Sequence, residues 1–187
     1  MAAPAGIADP PASQEVSLPE MLAARDRRAA RQRDLIARHR TPVVSLTAVM
    51  PGPVKDTPLT RRLVAAGVEA VLATLAGRGW AVLERLDAAG PTGAETQLAV
   101  AAAPRPLKQA LLALEESHPL GRLWDIDVLA DEGEGLRVLS RREFGLPPRA
   151  CLVCGGPAHA CARSRAHPVA ELVAIIEKTA HASLRAP

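Results

Sequence analysis

Between Trp124 and Val128 apolar and acidic side chains alternate one for one, Trp-Asp-Ile-Asp-Val, inside an apolar frame of Leu123 and Leu129. Successive side chains of an extended strand point to opposite faces. Trp124, Ile126 and Val128 therefore enter a core together, while Asp125 and Asp127 project together on the other face. A chain with this strand must bury one face of a sheet under a hydrophobic layer and accommodate two neighbouring carboxylates on the other. At 187 residues it has the length of one domain.

The rest of the chain supplies the other elements of such a domain. Residues 1–16 form an Ala/Pro-rich lead, expected to be flexible, and residues 17–187 one domain. Ser17-Leu18-Pro19-Glu20 is a capping box that opens a highly charged helix reaching to about Ala37. Val43 to Val49 reads as a strand and ends at Met50-Pro51-Gly52-Pro53, which neither helix nor strand crosses easily. Asp56 or Thr57 caps the next helix. Leu59, Leu63, Val64, Val68, Val71, Leu72 and Leu75 make its apolar face, and Gly77 its stop.

Two strands follow, Trp80 to Leu86 and Gln97 to Ala101, joined by Gly90-Pro91-Thr92-Gly93. A helix over Leu107 to Ser117, strands over Leu123 to Leu129 and Leu136 to Leu139 around an acidic turn, and a last helix from Pro168 complete the order. In that helix Val169, Leu172, Val173 and Ile176 should face inward. The succession predicts an α+β or α/β domain, a mixed or antiparallel sheet with packed helices.

Two carboxylates sharing a strand face repel unless something positive lies between them. Mg²⁺, a hard cation with oxygen ligands and an affinity for substrate phosphates, meets that need at Asp125 and Asp127. A Gly-containing turn before a D-x-D strand is a feature of nucleotidyltransferase palms, where metal bridges the carboxylates to a triphosphate. The competing reading is two acids on the wet side of an amphipathic strand. Asp56, Glu95 and Glu116 are candidates for a third acid.

The second cluster lies in the Cys-rich segment 151–167, as Cys151-x2-Cys154-x6-Cys161-x5-His167. Three thiols and an imidazole suffice for a tetrahedral zinc site. His159 competes for the fourth position, and three reduced, unligated thiols are the alternative. An odd, clustered set of Cys without an export signal argues against a disulfide framework and for a cytoplasmic protein. Lys55, Arg61, Arg62, Arg122 and Arg142 lie beside loops suited to phosphate and are candidate phosphate ligands.

Composition closes off other classes. The chain is 48% hydrophobic, which excludes a disordered chain, and has no apolar run long enough to span a membrane. Its aromatic residues are Trp80, Trp124 and Phe144 alone, too few for a single-strand nucleic-acid surface built on base stacking. A net charge of +3 is small, and Arg rather than Lys carries the positive charge.

Several of these stretches stand together in one family. They are Arg25-Asp26-Arg27-Arg28-Ala29-Ala30-Arg31-Gln32, then Pro51-Gly52-Pro53-Val54-Lys55-Asp56 with Thr60-Arg61-Arg62. Next come Glu115-x-Ser117-His118-Pro119-Leu120-Gly121-Arg122 running into the acidic strand, and Leu139-Ser140-Arg141-Arg142. The last is Leu146-Pro147-Pro148-Arg149-x-Cys151-Leu152-x-Cys154, with Cys161-Ala162-Arg163 and His167. In this order, from about Pro19 onward, the chain resembles the apo-citrate lyase phosphoribosyl-dephospho-CoA transferase family.

The resemblance implies a nucleotidyltransferase-type enzyme. It would move 2′-(5″-triphosphoribosyl)-3′-dephospho-CoA onto a serine of the apo acyl carrier subunit of citrate lyase and release diphosphate. On that expectation Asp125 and Asp127 are catalytic, and neither nucleic acid nor membrane is a partner. The analogous transferase for the malonate decarboxylase carrier, and a non-catalytic zinc-binding interaction module, are the alternatives. The Arg-rich stretch from Arg25 to Arg40 is expected to be solvated and to steer an acidic carrier.

Overall fold

The computed structural model describes residues 14–131, 133 and 135–184. Most of the lead expected over residues 1–16 lies outside the described residues, as do Glu132 and Glu134 of the acidic turn. The elements run α1 (Leu18–His39), β1 (Val43–Ala48), α2 (Pro58–Ala76), β2 (Val82–Ala88), β3 (Glu95–Val100), α3 (Pro104–Ser117), β4 (Trp124–Asp131), β5 (Leu136–Val138), α4 (Ala158–Ser164) and α5 (Val169–Leu184). The strands form one sheet in the order β2-β3-β1-β4-β5, antiparallel at every pairing. The class is α+β.

Local chemistry starts the helices where the sequence signals them. Ser17 and Glu20 complete the capping box of α1, and Thr57 with Thr60 that of α2. α3 begins three residues before the predicted Leu107. Pro104 and Pro106 fall in its first turn, where a helix has no use for the missing N–H. β2 begins at Val82 rather than Trp80, whose N–H still closes the end of α2 on the Leu75 carbonyl at 3.0 Å.

The two sheet faces have different coverings. Val44, Leu46, Leu98, Trp124, Ile126 and Val128 face α2, α3 and α5 and form the main core. Trp124 is fully buried, its indole N–H donating to the Leu63 carbonyl at 2.8 Å. The opposite face lies under α1 and changes character row by row. Val43, Ala99 and Leu129 make an apolar row capped by Leu35 and Ile36. Gln97, Ser45 and Asp127 make the next, polar row. Glu95, Thr47 and Asp125 make the last, charged row. The apolar end of α1 thus anchors the helix, and its other end lies over the acids.

The predicted inward face of α5 is only partly so placed. Ile176 is buried, Leu172 and Val173 are half-buried, and Val169 is 47% exposed. Leu172 and Ile176 line a cavity at the edge of the core. An apolar stripe that lines a cavity has the same period as one that fills a core.

The approach to β4 is tight. A Cβ on Gly121 would lie 2.2 Å from the Glu115 carbonyl oxygen, with backbone on the far side that cannot rotate away. Gly121→Ala is expected to cost about 2 kcal/mol or more. That lowers Tm by roughly 4–8 °C at this chain length, read by thermal melting. An unchanged Tm would show that the turn before β4 is loose.

Candidate active site and metal centre

Asp125 and Asp127 lie on one face of β4, as their spacing requires, and two surroundings converge on them. From α1, Arg28 reaches under the helix. It donates with Arg31 to the Glu95 carboxylate, and its charge is also felt by both aspartates. From the far side, Arg149 brings its guanidinium to 3.7 Å from the Asp125 carboxylate. The Asp125 side chain is 55% exposed, whereas Asp127 is half-buried. Burial pushes the Asp127 carboxyl above its ordinary value, and the neighbouring Asp125 charge adds to the rise. Among the described residues Asp127 makes no hydrogen bond and no ion pair, so both of its oxygens are available to a ligand.

The backbone geometry of this strand is held by side chains. β5 pairs with Leu129, Ala130 and Asp131, so among the described residues the outer edge of β4 from Trp124 to Val128 has no strand beside it. An open edge leaves polar backbone that must find other partners. Arg149 donates to the Trp124 carbonyl at 2.6 Å, and Lys108 to the Ile126 carbonyl at 2.8 Å. The Glu115 carboxylate accepts from the Ile126 N–H at 3.1 Å, and the Leu139 N–H closes on the Val128 carbonyl at 2.9 Å. Glu115 is almost wholly buried and also binds Arg149, with Arg141 at 3.3 Å. Burial pushes the Glu115 carboxyl up against the pull of Arg149 and Lys108, and pushes the Lys108 ammonium down.

None of these edge groups was marked as a site by sequence. Lys108 and Glu115 are seven residues apart on the Leu107/Leu111/Leu112 face of α3, and two charges on an apolar helix face were the available signal. Arg28 and Arg31 likewise leave the solvated set expected over Arg25 to Arg40. Arg25, Arg27, Arg33, Arg38 and Arg40 are exposed, but these two turn inward.

The predicted phosphate ligands are not gathered in one place. Arg122 is half-buried, donates to the Ala150 carbonyl and lines the cavity beside β4. Lys55 is half-buried and donates to the Met50 carbonyl at 2.6 Å. Arg61 pairs with Asp56 at 2.7 Å. Arg62 reaches the Leu184 carbonyl at the end of α5, and Arg142 is exposed on the turn after β5. Of the candidate third acids, Glu95 shares the aspartate face. It stands two strand spacings, roughly 10 Å, from Asp125 and is already bound by two arginines. Asp56 is held by Arg61, and Glu116 by Arg141 at 2.5 Å.

The Cys-rich segment folds back on itself. Cys151, Cys154, Cys161 and His167 bring their ligand atoms within 4.8 Å of one another, a Cys₃His cluster able to hold a metal ion. The Cys154 and Cys161 sulfurs are 3.5 Å apart. His167 Nε2 is buried without a hydrogen-bond partner among the described residues, while the competing His159 is exposed. Backbone N–H groups of Cys154 and Val153 lower the Cys151 thiol, and the bond to Cys154 with burial pushes Cys161 up to about 11. Among the described residues, no helix is long and apolar enough to cross a membrane.

Comparison with known proteins gives a consistent result. Residues 16–183 match the family described as apo-citrate lyase phosphoribosyl-dephospho-CoA transferase. A protein of that name from Citrobacter koseri is 49% identical over 166 residues, covering 89% of each chain. Proteins of the same name from Escherichia coli O139:H28 and Shigella boydii serotype 18 are 49% identical over 158 residues, covering 84% of this chain and 85% of theirs.

The edge network makes a direct prediction about stability. Glu115→Ala strands Lys108, Arg149 and the Ile126 N–H, and is expected to cost about 3–5 kcal/mol in urea unfolding. Glu115→Gln keeps an acceptor for Ile126 and should cost less. An alanine variant within about 0.5 kcal/mol of the parent would show that the edge is held by other means.

Proposed function

The chain belongs to the apo-citrate lyase phosphoribosyl-dephospho-CoA transferase family, and on that premise we propose that β4 carries its reaction centre. The activity is transfer of the prosthetic group from 2′-(5″-triphosphoribosyl)-3′-dephospho-CoA to a serine of the apo acyl carrier subunit of citrate lyase. The serine oxygen forms a bond to the phosphorus next to the ribose, the bond from that phosphorus to the diphosphate breaks, and the hydroxyl proton is released. This is nucleotidyltransferase chemistry on a palm-like acidic strand of a cytoplasmic enzyme. The relatives are named for citrate lyase, which favours that carrier over the malonate decarboxylase one.

The observation that carries the site assignment is Asp127: a half-buried carboxylate, pushed up by burial and by Asp125, with no hydrogen-bond or ion-pair partner among the described residues. Two hard oxygen donors side by side fit Mg²⁺. When bound, Mg²⁺ would acidify the attacking hydroxyl and neutralise charge on the departing diphosphate. Asp125 and Asp127 are the residues that would hold it. Arg149 fixes Asp125 from one side, and Arg28 places a half-buried positive charge on the other. Such preorganised charge costs nothing to arrange as the reaction proceeds. Arg122 and Lys55 are the best placed of the predicted phosphate ligands, being half-buried on the loops that flank β1 and β4.

Asp125→Asn and Asp127→Asn keep shape and remove one charge. Each is expected to lower transfer by roughly 10²–10⁴-fold, followed by mass spectrometry of the apo carrier, with melting unchanged. Near-parental turnover in both variants would contradict the assignment.

The Cys₃His cluster suits zinc. A Zn–S bond of about 2.3 Å makes the edge of a tetrahedron roughly 3.8 Å. The four donors already lie inside 4.8 Å, and His167 Nε2, buried with no hydrogen-bond partner among the described residues, is a free imidazole donor for such an ion. Its role is structural: four protein ligands leave no open position. Elemental analysis should find about one zinc per chain, with chelation lowering Tm. Clearly substoichiometric zinc with unchanged melting would contradict it.

A further inference from the structure

A cavity of about 800 Å³ lies between the Cys₃His segment, the start of α5 and the loop after β1. That is within the ordinary range for a small-molecule site. Its walls include Val49, Pro51, Leu152, Leu172 and Ile176. All the charged residues that line it are arginines, Arg122, Arg149 and Arg165. No acid is among the lining residues; Arg149 is paired outside the lining with Glu115 and Asp125, which leaves Arg122 and Arg165 to meet a ligand. An apolar chamber with arginines in its wall calls for a ligand with an apolar body and phosphates.

Arg149 connects this chamber to the acids. The same guanidinium lines the cavity, reaches the Asp125 carboxylate at 3.7 Å and holds the Trp124 carbonyl at 2.6 Å. A ligand seated in the chamber therefore has one end beside the aspartate pair. Cys151, Cys161 and His167 form part of the wall, so the metal segment shapes the chamber.

Resting on the transferase reading above, we infer that this cavity holds the dephospho-CoA body of the donor. The pantetheine arm and adenine lie against the apolar wall. Arg122 and Arg165 meet the diphosphate that joins them, and the triphosphoribosyl end extends past Arg149 toward Asp125 and Asp127. The metal segment is then the donor-binding wall of the enzyme.

The test is titration calorimetry with dephospho-CoA, which lacks the reacting triphosphoribosyl group, against the full zinc-loaded chain. Leu172→Trp fills the chamber and Arg165→Glu reverses a charge at an exposed position. Each is expected to weaken dephospho-CoA by roughly tenfold or more, while Lys178→Glu, a charge reversal at an exposed position of α5 outside the chamber wall, binds it as the parent does. Arg165→Glu keeps the test open if the tryptophan variant fails to fold. Three outcomes would overturn the inference: no dephospho-CoA binding by the parent, parental affinity in both cavity variants, or loss of apo-carrier binding in their place. Should transfer to the carrier prove absent while dephospho-CoA binding still responds to both variants, the transferase reading falls and the cavity assignment stands.

Discussion

The structure depends on how one open strand edge is satisfied. β4 carries the aspartates on one face and the largest core side chain, Trp124, on the other, yet among the described residues its outer edge has no neighbouring strand from Trp124 to Val128. Buried backbone groups without partners cost as much as lost hydrogen bonds. Lys108, Glu115 and Arg149 take the place of the absent strand. Because they do so with charged groups, the edge is held electrostatically. The guanidinium that caps it also stands beside Asp125. Structural and chemical roles meet in Arg149.

The face under α1 shows the same economy. Its rows pass from Val43, Ala99 and Leu129, through Ser45, Gln97 and Asp127, to Thr47, Glu95 and Asp125. The helix follows suit: Leu35 and Ile36 pack at one end, Gln32 donates to Ser45 at 3.0 Å in the middle, and Arg28 and Arg31 grip Glu95 at the other. A helix anchored by its apolar end can present cations to acids without being pulled into the core.

Much of this was legible in the sequence, because the signals are local. Alternation over Trp124–Val128 places Asp125 and Asp127 on one face, the capping boxes start α1 and α2, and the Cys and His spacing marks the cluster that the fold closes. The partners of those residues were not legible. Arg149 reaches Asp125 across 24 positions of chain and Arg28 reaches Glu95 across 67, distances over which periodicity carries no information. In an arginine-rich chain, the few that turn inward have no local mark. Val169 misled for a different reason, since α5 turns part of its apolar stripe to a cavity.

Whether the β4 aspartates hold a divalent cation can be tested without turnover. Mn²⁺ can stand in for Mg²⁺ at an oxygen site and broadens nearby amide resonances in nuclear magnetic resonance spectra. Titrated into the zinc-loaded chain, it should first erase the signals of Thr47 and Asp125 through Asp127, together with Arg28 across the face. Asp127→Asn should abolish that pattern. Broadening that begins elsewhere, or that survives the substitution unchanged, would contradict a cation at these aspartates.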